Sequence, residues 1–305
     1  MQNDKRRNLF SSPARRDNFF LSLGLMLPTI LIVLIIAIYP LIKSFDISLR
    51  YFNLMKPEKG TPYVWLRNYQ FVLTDQKFWR SVRSTAIFTI LSVALVLFFA
   101  LAIALLLNRR FPGKNFVQAL MLVPWAVPGV ANGLIWLWIL NPSYGALNGL
   151  LSKAGIIDQY IVWLGDQNWA MTWVILAETW KETPFIMLII LAALQTIPQD
   201  LYEAARVDGA SSFQSLIRIT LPMIKPTFFV ALTLRTIWAI KSFDLIYTLT
   251  SGGPADATNV IGYYTYQKAF VSMNLGRGSA AVCLMTIVMI ILTVFYQRAL
   301  IHGEA

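Results

Sequence analysis

The sequence predicts an all-α membrane protein with six transmembrane helices. Three observations carry that prediction. First, 57% of the 305 residues are hydrophobic and only 13% are charged, whereas a soluble domain of this length carries about a quarter charged residues. Second, six stretches reach the ~20 mostly apolar residues that a spanning helix requires. Third, lipid offers no partner to backbone N–H and C=O groups, so each stretch must satisfy its own hydrogen bonds as a helix.

The elements follow in order. Residues 1–18 are polar, contain Ser11-Ser12-Pro13, and read as a loose tail. The first span is expected over 19–42. Its apolar core, Leu21 to Ile38, is too long for a secretory leader, and Tyr39-Pro40 is not a small-residue cleavage site. The 43–83 segment is too long for a turn and holds Tyr51, Phe52, Tyr63, Trp65, Tyr69, Phe78 and Trp79, so a small external cap is expected there. Spans two and three follow over 84–107 and 116–140. A loop over 141–168 leads to span four, 169–195, and a loop over 196–225 to span five, 226–249. A loop over 250–277 precedes span six, 278–300, and the tail 301–305 ends the chain.

Several function classes drop out on composition. Cys283 is the single cysteine and reads as a small apolar filler; His302 is the single histidine. Neither a disulfide framework, a metal site, nor a Ser-His-Asp triad is expected, and no side chain is assigned a catalytic role. The net charge of +11 forms no continuous basic stripe, so nucleic acid is not an expected partner. The basic residues flank apolar runs instead, and most of the tryptophans read as anchors at the bilayer surface. Lys5, Arg6, Arg7, Arg15 and Arg16 before span one, and Arg109, Arg110 and Lys114 after span two, favour a cytoplasmic N-terminus. The bases of the 43–83 segment offset that bias, so charge alone does not orient the chain.

Between spans four and five lies Ile197-Pro198-Gln199-Asp200-Leu201-Tyr202-Glu203-Ala204-Ala205-Arg206-Val207-Asp208-Gly209-Ala210. Pro198 with Gln199-Asp200 makes a helix start, with an acid near the positive end of the dipole. Gly209 is a natural stop where φ turns positive. A second amphipathic stretch, Phe213 to Ile219, is expected to end at Leu221-Pro222. On this reading the loop is a helix–Gly–helix; by pattern alone it also suits an interfacial helix that ties two spans together.

The spacing Glu203-Ala204-Ala205, three residues, Gly209, nine residues, Ile219, one residue, Leu221-Pro222 resembles the EAA loop of binding-protein-dependent ABC importer permeases. That resemblance implies the type I, MetI-like permease fold, with a short coupling helix seated in a cleft of an ATPase. Carried over, Glu203 makes charged contacts to the ATPase, Ala204 and Ala205 allow close approach, and Gly209 provides the bend. Arg206 and Asp208 lie within the same contact. It also implies a plasma (inner) membrane protein of a bacterium or archaeon with both termini cytoplasmic. Its implied partners are a second homologous permease, two ATPase subunits and an external solute-binding protein. No G-x-x-x-x-G-K-[ST] phosphate loop occurs in the chain. ATP and Mg therefore belong to the partner ATPase, and no cofactor is expected in this chain.

A second resemblance narrows the cargo. Ser242-Phe243-Asp244-Leu245-Ile246-Tyr247-Thr248-Leu249-Thr250-Ser251-Gly252-Gly253-Pro254, with Thr258, Tyr263, Tyr266 and Ala269-Phe270 beyond it, is similar to maltose- and glycerol-phosphate-type carbohydrate permeases. So are Leu66-Arg67-Asn68-Tyr69 and Pro142-Ser143-Tyr144-Gly145-Ala146-Leu147-Asn148. Val82-Arg83-Ser84-Thr85 departs from the pattern, since many relatives place an asparagine before that threonine.

Spans four and five also carry Glu178, Lys181, Glu182, Arg235, Lys241 and Asp244. Each costs about 2.5–3.5 kcal/mol at mid-bilayer on insertion scales, so each must face protein or water and find a partner. Glu178 with Lys181 or Glu182, and Lys241 with Asp244, are spaced to share a helix face. The six groups suit either charge balance across spans or a polar pathway. The pathway reading takes Glu178, Lys181, Lys241 and Asp244, with Trp180 and Trp238 beside them. It adds Asn132 and Trp136 from a span broken by Pro124, Pro128 and Gly129. Gly129 and Gly133 form a G-x-x-x-G pair suited to a close helix crossing. An ion-coupled secondary transporter is the alternative, and inverted symmetry between halves, its usual mark, is absent from the sequence. An intramembrane enzyme would require a catalytic pair that the chain lacks.

Overall fold

The computed structural model describes residues 13–109 and 111–302. The first helix comprises α1 (Pro13–Val33), one wide π turn over Leu34–Ile38, and α2 (Tyr39–Ser48). Pro40 has no N–H to give Ile36, and the wide turn before it absorbs the missing bond. The helix thus runs past the expected end at 42. It is also already helical at Pro13, inside the stretch read as a tail; residues 1–12 of that tail lie outside the described residues. The apolar window of this helix is entirely exposed, and its α2 end packs against the last helix of the described chain.

The expected cap over 43–83 is smaller than its sequence length suggests. After α2, isolated antiparallel bridges pair Arg50 with Tyr63 and Asn53 with Asn274, and α3 (Arg67–Thr74) follows. Then α4 (Gln76–Leu107) begins eight residues before the expected 84, because Asp75 caps it by accepting from the Lys77 N–H at 2.9 Å. Asp75 also pairs with Lys268 at 2.8 Å and accepts from the Tyr264 hydroxyl at 2.9 Å. Burial alone would raise the Asp75 carboxyl; the bonds from Lys268, the Lys77 N–H and Tyr264 outweigh it and hold it below the ordinary carboxylate range. With 32 residues, α4 is about 48 Å long and overshoots a ~30 Å hydrocarbon layer.

The expected third span is not one helix. It consists of α5 (Lys114–Met121), α6 (Val123–Ala126) and α7 (Gly129–Ile139), with its two arms bent by 94°. Pro128 forces Val127 into extended backbone, which no helix can cross. After α8 (Ala146–Lys153), Asn148 pins the loop through bonds to Ile161 and the Trp163 indole. Asp166 then caps α9 (Gln167–Gln195). Next come α10 (Gln199–Val207), α11 (Ser212–Ser215), a π turn over Leu216–Thr220, and α12 (Leu221–Ile240). The chain runs helically from Ser212 to Ile240, so the amphipathic stretch does not end at Leu221-Pro222 but flows into the fifth crossing. That crossing stops at Ile240, and the expected end over 244–249 is a separate helix, α13 (Asp244–Leu249). Helix α14 (Ile261–Tyr266), a π turn over Gln267–Val271 and α15 (Leu275–His302) complete the described chain.

Among the described residues, four helices are long and apolar enough to cross a membrane, or six if the two bent pairs each count as one crossing. The core is the packing of α4 on α9. On α4 the buried stripe is Phe88, Ser92, Val96, Ala100, Ala104 and Leu107, at steps of three and four. On α9 it is Val174, Glu178, Glu182, Ile186, Ile190 and Leu194. Two acids therefore occupy the middle of a stripe that is otherwise apolar. Burying them requires a partner for each.

Several tryptophans pack on one another. Trp136 meets Trp173 and Trp180 at centroid distances of 6.0 and 6.3 Å, and Trp163 meets Trp173 and Trp169 at 5.5 and 5.6 Å.

Candidate functional sites: a surface elbow and a buried cleft

The loop between α9 and α12 is an elbow whose form is set by its own residues. Helix α10 starts after Pro198 with Asp200 in its first turn. It ends in a Schellman arrangement: the Ala210 N–H reaches the Ala205 carbonyl at 2.8 Å and the Gly209 N–H reaches Arg206 at 3.1 Å. Gly209 holds φ at +79° there, with open space around it. Helix α11 begins at once with a capping box, Ser211 accepting from the Gln214 N–H and Gln214 accepting from the Ser211 N–H. One longer bond braces the elbow, Tyr202 Oη to Thr220 Oγ1 at 2.9 Å. Glu203, Ala204, Arg206, Asp208 and Gly209 are exposed and Ala205 is half-buried, so all six motif residues fall on one short helix and its cap. Glu203 makes no ion pair among the described residues. Val207 and Phe213, 88% and 69% exposed, add apolar surface beside it that the motif does not include.

The cleft lies where the chain breaks. Helix α7 crosses α13 at the G-x-x-x-G pair: a Cβ on Gly129 would lie 3.0 Å from Asp244 Cβ, and one on Gly133 would lie 2.6 Å from Thr248 Cβ. Only glycine permits that approach. A cavity of about 200 Å³ opens between α7, α9, α12 and α13. Asn132, Glu178, Lys181, Trp238, Lys241 and Asp244 all line it. Trp136 and Trp180 do not; they belong to the tryptophan cluster described above. Glu182, Ser242 and Phe243 also line the cavity. Glu182 was marked by its charge; Ser242 and Phe243 stood in the carbohydrate-permease motif, but neither glycine nor proline announces the break after Ile240 that brings them to the cavity.

Charge pairing differs from the helix-face expectation. Arg235, fully buried, donates from Nη2 to Glu178 Oε1 at 2.9 Å across α12 and α9. Lys181 Nζ binds Glu182 Oε1 at 2.6 Å. Lys241 and Asp244 share no helix face, because the helix has ended between them, and they make no ion pair among the described residues. Asn132 donates to the Ala177 carbonyl at 3.3 Å and leaves its Oδ1 buried without a partner; Arg235 Nε and Nη1 are likewise unpartnered. Beside the cavity, Trp238 packs on Phe185 at 5.3 Å, which stacks on Trp125 at 5.0 Å.

Comparison with known proteins supplies the family. Residues 97–302 match the family model described as "binding-protein-dependent transport system inner membrane component". The chain is 43% identical over 277 residues to the trehalose/maltose transport system permease protein MalF of Thermococcus litoralis, covering 90% of this chain and 91% of that protein. It is 36% identical over 280 residues to the sulfoquinovosyl glycerol transport system permease protein SmoG of Agrobacterium fabrum, covering 91% and 89%. The fold matches a chain of a bacterial ABC transporter that imports the acidic polysaccharide alginate, with a TM-score of 0.81 and 25% identity over 94% and 96% of the two chains. Permeases of this kind are non-catalytic, bind no cofactor themselves and rely on a separate ATPase. The protein belongs to the inner-membrane permease family of binding-protein-dependent ABC transporters, as a multi-pass subunit.

Proposed function

We propose that this chain forms half of the translocation pathway of a sugar importer and is driven through α10, the helix presenting Glu203. One observation carries the reading: α10 lies in the short elbow that joins α9 and α12, the two helices whose side chains face each other across the cleft. Glu178, Lys181 and Glu182 lie on α9, and Arg235 and Trp238 on α12. A rigidly capped helix at that junction transmits a pull to both cleft walls. The exposed Glu203, Ala204, Arg206 and Asp208, with half-buried Ala205 and the turn at Gly209, are the contact surface for an ATPase that binds ATP and Mg. The elbow and both termini are cytoplasmic, where ATP is. The other partners are a second homologous permease, which completes the pathway and the ATPase pair's symmetry, and an external solute-binding protein that delivers the cargo. Closure of the two ATPase subunits swings the pathway outward, in an alternating-access switch of rigid helices.

A sugar as cargo is supported by the names of the relatives and by the cleft's mixture of aromatic faces with hydrogen-bonding groups. Asn132, Glu178, Lys181, Trp238, Lys241 and Asp244 form the pathway wall.

The test is to assemble the transporter with Glu203→Ala and, separately, with Gly209→Ala, then to measure ATPase retention and substrate-stimulated hydrolysis in vesicles. Loss of one charge-assisted hydrogen bond predicts about a tenfold fall for Glu203→Ala. Unchanged coupling in both variants sinks the lever.

A further inference from the structure

Resting on that pathway reading, we propose that the cleft is built for an uncharged sugar, and that Lys241 and Asp244 are the groups that hold its hydroxyls. The argument is one of charge. Three acids and three bases gather around the cavity, and two pairs are already consumed: Arg235 with Glu178 and Lys181 with Glu182. Arg235 is fully buried and its charge is spent on Glu178. What remains at the cavity wall is Lys241 and Asp244, one of each sign, on the two sides of the break between α12 and α13.

An anionic headgroup requires surplus positive charge when water is excluded. Here it would meet Lys241 together with the Asp244 carboxylate in one cavity of about 200 Å³. A neutral sugar has the opposite requirement. Its hydroxyls donate and accept, and its ring presents an apolar face. Lys241 offers donors only and Asp244 acceptors only, while Asn132 holds a buried, unpartnered Oδ1 on the same wall. Trp238 and Phe243 supply aromatic faces at the cavity.

The position of Asp244 is itself fixed. Its Cβ and Oδ2 would lie 3.0 and 3.1 Å from a Cβ on Gly129, so the carboxylate is seated over bare backbone. Its place on the wall thus depends on the close crossing of α7 and α13.

The experiment uses the assembled transporter without its binding protein, in lipid nanodiscs, and reads quenching of Trp238 as the difference between the native complex and Trp238→Phe. The probes are glucose, maltose and trehalose against glucose 6-phosphate and glucuronate. At least one neutral probe is expected to bind ten or more times tighter than either anion. Asp244→Asn is expected to weaken the neutral probe about tenfold and to strengthen glucose 6-phosphate by at least as much. Lys241→Gln, which leaves surplus negative charge, is expected to weaken both. Anions binding as tightly as neutral sugars in the native complex overturn the charge argument but leave the cleft as the binding place. If no probe disturbs Trp238 while the full transporter, with its binding protein, still carries any of them, the pathway reading falls as well.

Discussion

The elbow and the cleft share α9 and α12, yet they are held in opposite ways. In the elbow nearly every constraint is local. The Schellman bonds and the capping box span five residues or fewer, while a longer bond, Tyr202 to Thr220, spans 18. In the cleft, the neighbouring pair Lys181–Glu182 aside, the constraints are distant. Arg235 meets Glu178 across 57 residues, Asn132 meets Ala177 across 45, and Gly133 faces Thr248 from another helix. A part that must keep its shape while exposed carries its own scaffold. A part that must open and close is held by contacts between helices, which a rigid shift can make and break.

The largest effect is therefore expected in the cleft. Glu178→Leu leaves the fully buried Arg235 guanidinium without its counter-ion, a loss of about 3–5 kcal/mol. The purified protein should lose most of its folded fraction or melt far earlier. The double variant Glu178→Leu, Arg235→Met replaces the pair with apolar groups and should recover most of that loss. Glu203→Ala, on the exposed elbow, should shift stability by no more than about 0.5 kcal/mol. Thermal unfolding in detergent separates the three. Equal tolerance of Glu178→Leu and Glu203→Ala would break the contrast.

The same contrast explains what the sequence alone revealed. The motif from Glu203 to Pro222 was readable because a helix start, a glycine stop and a recurring spacing are written within one short stretch. An all-helical chain with several membrane-length helices was readable because apolar length is a property of composition. The breaks were only half readable. Pro128 explains the bend before α7, but nothing local distinguishes a helix ending at Ile240 from one ending at Leu249. The continuation of Ser212 through Pro222 was misread because a single π turn absorbs the proline, and such a turn has no sequence mark. Arg235 stood out as an intramembrane charge, but its choice of Glu178 over Glu182 depends on how α12 docks against α9.

Glycine offers an intermediate test, since each region depends on one for a different reason. Gly133→Ala puts a Cβ 2.6 Å from Thr248 Cβ, an overpacking cost of about 1–3 kcal/mol. Gly209→Ala meets no atom within 4 Å and suffers only from its left-handed backbone, roughly 1–2 kcal/mol. Asn tolerates that backbone, so Gly209→Asn should be nearly neutral while Gly133→Asn is not. Thr248→Gly should rescue Gly133→Ala and do nothing for Gly209→Ala. Melting temperatures of the six variants show whether one glycine is set by space and the other by φ.

The smallest effect asks whether the elbow is as self-contained as its caps suggest. Tyr202→Phe removes only the hydroxyl that bonds Thr220, about 0.5–1.5 kcal/mol. Global stability should move within that range. If the bond is the brace that ties α10 to the base of α12, amide exchange along α10 should rise by about tenfold, and stimulated ATP hydrolysis should fall by less than it does for Glu203→Ala. If exchange along α10 does not change, the Schellman turn and capping box suffice by themselves, and force reaches α12 through the backbone of the elbow alone.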